Sequence, residues 1–161
     1  MKNEFLAEGK GLKQAFAPVD LNTAAVAGAR VGLKDGDRLA IVINLGTSTA
    51  AQLRVSLEQH NAASAGTSKA LEIQNPYFHK AGAATVFTKV DPSAPASTFD
   101  LDAVFAADGG VAVFEVLAED LDVNGGFSHV SVNIADSTAA KLGAAVYVLE
   151  PSYKPAYSVA L

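Results

Sequence analysis

From Arg38 onward, apolar and polar positions alternate along the chain. Leu39, Ile41, Ile43 and Leu45 share one face of RLAIVINLG; Leu53, Val55 and Leu57 share one face of AQLRVSLEQ, with Gln52, Arg54, Ser56 and Glu58 opposite. A side-chain period of two marks half-buried antiparallel strands. KALEIQ, ATVFTKV, STFDLDAVF, GVAVFEVLA, FSHVSVNIA and AAVYVLE predict further strands, divided by the turn-rich NAASAGTS, DPSAPAS and ADGG. The short DSTAAKLG reads as one turn of helix, capped by Asp136 or Ser137 and ended by Gly143.

The two ends lack this pattern. Over residues 1–37, Gly, Ala, Pro18 and Asn22 interrupt the apolar positions, so neither period persists. That segment reads as an extended N-terminal arm. PSYKPAYSVAL holds two prolines, which remove backbone donors from any ladder, and reads as a C-terminal tail over 151–161. The expectation is an all-β chain: a core over 38–150 formed as an antiparallel β-sandwich or jelly-roll-like barrel of about eight strands.

Composition narrows the classes. A chain of 161 residues, half of them hydrophobic, suits one domain with a core of ordinary size. No apolar run approaches the ~20 residues of a membrane helix, and MKNEFLAEGK lacks the apolar stretch of a signal peptide, so a soluble protein without a membrane partner is expected. The absence of cysteine excludes disulfides and thiolate metal sites. A net charge of -5, with 12 scattered Lys and Arg, speaks against nucleic acid as a partner.

The candidate chemistry is sparse. EDLDVNGGFS places Asp120, Asp122, Asn124 and Gly125 in the register of a calcium loop, but position twelve is Ser131, where a bidentate Glu belongs, and strands flank both sides. A polar turn, with Asn124-Gly125 supplying positive backbone angles, is the expectation. Asp100 and Asp102 fall on one side of a predicted strand and read as a solvent-facing edge, with Phe99 and Leu101 inward. His60, His79 and His129 are too far apart for a ligand pair and read as surface histidines. Ser128 and His129, strand neighbours pointing to opposite faces, are not a catalytic pair, and no G-x-S-x-G elbow occurs. Gly109-Gly110 and Gly125-Gly126 lack the helix of a phosphate loop. The reading is no enzyme, no cofactor and no metal.

The stretch FEVLAEDLDVNGGFSHVSVNIADSTAAKLGAAVYVLEPSYKPA resembles a family of tailed-bacteriophage and prophage proteins encoded near the major capsid protein. The resemblance lies in EDLDV, in GGF followed by an alternating strand, and in an AD linker leading to LGAAVYVL and an E-P-x-Y tail. DLNTAAVAGARVGLKDGDRLAIVINLGTSTA and TSKALEI are similar to the front half of the same proteins, so the likeness spans most of residues 19–157. It implies a virion structural protein: a capsid decoration, or cement, protein on the outer capsid surface. Its partners would be the major capsid protein and further copies of itself, a homotrimer by analogy with other cement proteins or else a dimer. Phe5, Leu6 and Phe16 in the arm and Tyr153 and Tyr157 in the tail would be the interface anchors, since aromatic anchors dominate interface energy. A neck or tail component and an extracellular carbohydrate-binding β-sandwich are the alternatives.

Overall fold

The computed structural model describes residues 10–34, 36–48 and 52–151. In chain order the strands are β1 (Gly11–Asp20), β2 (Val26–Ala27), β3 (Val31–Gly32), β4 (Gly36–Leu45), β5 (Arg54–His60) and β6 (Ser68–Ala70). There follow β7 (Tyr77–Ala81), β8 (Thr88–Val90), β9 (Thr98–Asp100), a four-residue helix α1 (Asp102–Phe105), β10 (Gly110–Leu117), β11 (His129–Ile134) and β12 (Leu142–Pro151). The first sheet has the order β1-β12-β4-β10-β7-β8; the second runs β2-β11-β5-β6, with β3 also on β11 and β9 also on β5. Every pairing is antiparallel, giving an all-β sandwich.

The core follows from the alternation. Leu39, Ile41, Ile43 and Leu45 of β4, Ala112, Phe114 and Val116 of β10, and Ala145, Tyr147 and Leu149 of β12 point inward from the first sheet. Val55 and Leu57 of β5 and Val130, Val132 and Ile134 of β11 meet them from the second. Tyr77, Phe99 and Phe114 pack together, with centroids 4.9–5.6 Å apart.

One buried polar tie joins the sheets. The Val132 amide of β11 donates to the Tyr147 hydroxyl of β12 at 3.0 Å. That amide is open because β2 and β3 break around Gly28, whose own amide donates to the Val132 carbonyl at 2.8 Å. A Cβ on Gly28 would lie 2.5 Å from that carbonyl and 3.0 Å from the hydroxyl, so glycine is required for the close approach. Burial pushes the Tyr147 phenol up to about 12, so it stays protonated.

Several expectations are corrected. The segment 1–37 is not an arm throughout: from Gly11 it supplies β1, β2, β3 and the start of β4, so the fold begins well before Arg38. Phe16 is 9% exposed and joins the core rather than an interface. Phe5, Leu6, Tyr153 and Tyr157 lie outside the described residues. DSTAAKLG makes no helix: Thr138 has φ +58°, the Asp136 carboxylate accepts the Thr138 amide, and the Ser137 amide donates to Leu21. ATVFTKV is a strand only at Thr88–Val90, while YFHKA, not expected as a strand, forms β7.

Candidate interaction surface

The outward positions of the two sheets differ in chemistry. Across the first sheet, register aligns Gln14, Val146, Val42, Val113, Phe78 and Lys89 in one row from β1 to β8. On one side lies the row Leu12, Val148, Ala40, Glu115; on the other, Ala144, Asn44, Val111, Lys80. Leu12, Val146 and Leu142 are exposed, and Val42, Val113 and Phe78 are half-buried. The result is a contiguous apolar face on the outside of the sandwich. Exposed apolar patches are common places for a protein to meet a partner.

Charge gathers at one end of this face. Glu150 is paired with Lys10 and with Arg38, whose Nη2 lies 2.6 Å away, and Arg38 also reaches Glu115 at 3.5 Å. The bond from Lys10, then that from Arg38, holds the Glu150 carboxyl down at about 2.

The outward face of the second sheet is polar. His60 of β5 stands directly opposite His129 of β11, and Glu58 opposite Ser131. The His60 Nε2 and Ser131 Oγ are 2.8 Å apart and buried. Arg30, from the β2–β3 connection, donates to the Ala62 carbonyl at 3.0 Å and to that of Ala65, tying itself to the loop after β5. Lys13 of β1 in turn donates to the Arg30 carbonyl at 2.9 Å. Burial, then the nearby Arg30 charge, lowers both imidazoles below their ordinary value; Lys13 adds to this at His129. His60 is therefore not a surface histidine, being only 3% exposed. The sequence around His60 carries no sign of this, because the residues that cover it come from elsewhere in the chain.

The Ser128 Oγ and His129 Nδ1 are 3.0 Å apart, so these neighbours do not diverge as strand residues would. Ser128 precedes β11, and alternation does not apply to it. His129 rests over Gly32, where a Cβ would stand 3.5 Å from its Nε2.

EDLDVNGGFS is a turn whose carboxylates are already engaged. Asp120 accepts the Leu117 amide at 2.8 Å and the Asn75 side-chain amide at 2.6 Å. Asp122 accepts the Gly125 amide at 2.9 Å and pairs with Lys69, whose ammonium lies 4.5 Å from the Phe127 ring centroid. The Lys69 bond, then the Gly125 amide, lowers the Asp122 carboxyl. The positive φ falls on Gly126, at +83°, and not on Asn124-Gly125; a Cβ on Gly125 would push the Asp122 carboxylate aside.

Asp100 and Asp102 do not share a strand. Asp100 ends β9 and accepts the Asp102 amide at 2.9 Å, while Asp102 opens α1 and accepts the Leu53 amide. Phe99 and Leu101 are buried as expected. The pattern reading also missed Lys141, which is 1% exposed. Its ammonium donates to the carbonyls of Phe105 at 2.6 Å and Asp108 at 3.1 Å, pinning the loop after α1.

No protein-family model matches the chain, and no curated protein matches it. Among solved structures, the SPBc2 prophage-derived protein YomS is similar over 86% of this chain and 92% of its own, at 12% identity and a TM-score of 0.39. A structure of the infectious bursal disease virus Gt strain is similar over 89% of this chain and 38% of its own, at 10% identity and a TM-score of 0.21. At these scores neither likeness bears on function.

Proposed function

We propose that this chain is a phage virion structural protein that decorates the outer surface of the capsid and works by adhesion. One observation carries the reading: the outward face of β1-β12-β4-β10-β7 is apolar, although the inner face of the same strands already fills the core. An antiparallel sheet with one dry side needs only one apolar face. A second one has a use when another protein subunit covers it. The resemblance of residues 19–157 to proteins encoded beside the major capsid protein names that setting, and the mild acidity suits a shell exterior better than packaged DNA.

On this reading the partners are the major capsid protein and further copies of the chain, in a trimer or a dimer. Cement proteins stabilise a shell by linkage: contacts made only with the assembled lattice shift the equilibrium against disassembly. Purified particles test the proposal. A copy number proportional to the shell subunit, with density on the outer surface, is expected. A copy number matching a single ring at one vertex would place the chain in the neck or tail instead.

A further inference from the structure

We propose that Arg30 and the loop after β5 form an acid-released latch: protonation of His60 and His129 beside the Arg30 guanidinium frees residues 61–67 while the two sheets stay folded. The device belongs to the second sheet and is independent of what the first sheet docks against. Its parts lie on neighbouring strands. β11 runs between β5 on one side and the broken edge of β2 and β3 on the other. Arg30 starts from that edge, and its Nη1 donates to the carbonyls of Ala62 and Ala65 in the loop after β5, so the side chain bridges β11. Register places Gly32 beside His129 and Val31 beside Val130, which brings Arg30 to the level of Ser131, the residue bonded to His60. His60 and His129 themselves stand directly opposite each other.

The loop is held rather than relaxed. Ala65 has φ +57°, ahead of Gly66 at +71°, and a residue with a Cβ keeps that left-handed conformation when its surroundings impose it. The Arg30 bond falls on Ala65 itself. Two further bonds close the loop: the Asn61 amide donates to the Thr67 carbonyl at 3.2 Å, and the Thr67 amide to the Asn61 side-chain carbonyl at 2.8 Å. Releasing Arg30 lets Ala65 leave its strained region, so the closed loop depends on that one side chain.

Charge is the trigger. His60 is buried, with its Nε2 bonded to Ser131 and its Nδ1 without a partner among the described residues. An imidazolium donates from both nitrogens, so protonation in the closed state leaves one N–H without an acceptor. Among the charged groups facing the pair, Arg30 opposes protonation of both rings, Lys13 of β1 opposes it at His129, and His129 opposes it at His60; Glu58, on the strand of His60, favours it there. The closed latch therefore refuses protons that an open one accepts. By linkage, opening grows as the pH falls below the ordinary imidazole value of 6.5. One unit below that value, each imidazole that titrates only in the open state raises the opening equilibrium about tenfold.

Hydrogen exchange of the full chain, resolved by residue and corrected for the intrinsic pH dependence of amide exchange, tests the latch. Between about pH 7.5 and about pH 5.5 the protection of the Asn61 and Thr67 amides should fall about tenfold or more, while the β4–β10 ladder keeps its protection. Arg30→Gln should lower the loop protection already at the higher pH. The double variant His60→Gln/His129→Gln should remove most of the pH dependence. Loop protection that stays constant across this range, or that falls only in step with the β4–β10 ladder, would overturn the inference, and the unsubstituted chain alone decides that. An undiminished pH response in the double variant, or unchanged loop protection in Arg30→Gln, would overturn it as well.

Discussion

The two outer faces of the sandwich solve opposite problems. On the second sheet the outward residues are polar, and the chain pairs many of them itself: Ser131 meets His60, Ser128 meets His129, and Arg30 reaches the loop after β5, while the buried His60 Nδ1 and Asn133 Oδ1 have no partner among the described residues. On the first sheet the outward residues are mostly apolar; Leu12, Val146 and Leu142 are exposed and Val42, Val113 and Phe78 half-buried. The same inward alternation supports both, so the core does not distinguish them. The difference lies in what the outward residues meet: the chain's own polar groups on one side and, on the proposal above, another protein subunit on the other.

The largest expected effect falls between the faces, at the tie both depend on. Tyr147→Phe leaves the buried Val132 amide without its acceptor and should cost about 2 kcal/mol, within the range for an orphaned buried donor. Urea denaturation at neutral pH checks this, and a change under about 0.5 kcal/mol would show that another group takes the amide. Next in size, Ser131→Ala removes the partner of His60 on the polar face and should cost about 1 kcal/mol.

Acid should act on the polar face first. His60 and His129 lie below their ordinary value when folded, so the unfolded chain takes up protons that the folded one refuses. Stability is therefore complete above about pH 6.5 and falls as the pH drops below it, until the folded-state values are passed. Arg30, Lys13 and the facing histidine oppose protonation, and Glu58 favours it at His60. His60→Gln should flatten the slope of melting temperature between pH 7 and 5, whatever it does to the absolute value. The apolar face responds lower. Glu150 is depressed to about 2, so its contribution is present above about pH 4.5 and lost as the pH falls through 2. Being solvent-exposed, that pair contributes little and should fade with salt.

The legibility of these features differs for physical reasons. β4, β5, β10, β11 and β12 were plain because one buried face enforces a period of two. β1 was hidden: its register shifts between Gln14 and Phe16 and again between Phe16 and Val19, and each shift resets the alternation. A strand with two irregularities and Pro18 in it reads as an arm. The burial of His60 was invisible because Arg30, which lowers it, and Ser131, which bonds it, come from distant parts of the chain. The apolar outer face did leave a signal, in Ala40 and Val42 within RLAIVINL and Val111 and Val113 within GVAVFEV. Apolar residues at both parities of a strand are the pattern of strands buried on both faces.

The smallest effect on folding should be the most informative about the faces. Val113→Thr keeps the side-chain shape and adds one hydroxyl on the outside of the first sheet, where it touches water in an isolated chain. In dilute solution its unfolding free energy should stay within about 0.5 kcal/mol of the parent, as for other surface substitutions. Under the capsid-adhesion proposal, the same hydroxyl would be buried without an assured partner when the face meets the shell, and binding to capsids should weaken severalfold. Stability by urea and binding to purified capsids by cosedimentation separate the two. A loss of stability with unchanged capsid binding would mean that the face is sealed within the chain, and the contrast between the two sheets would collapse.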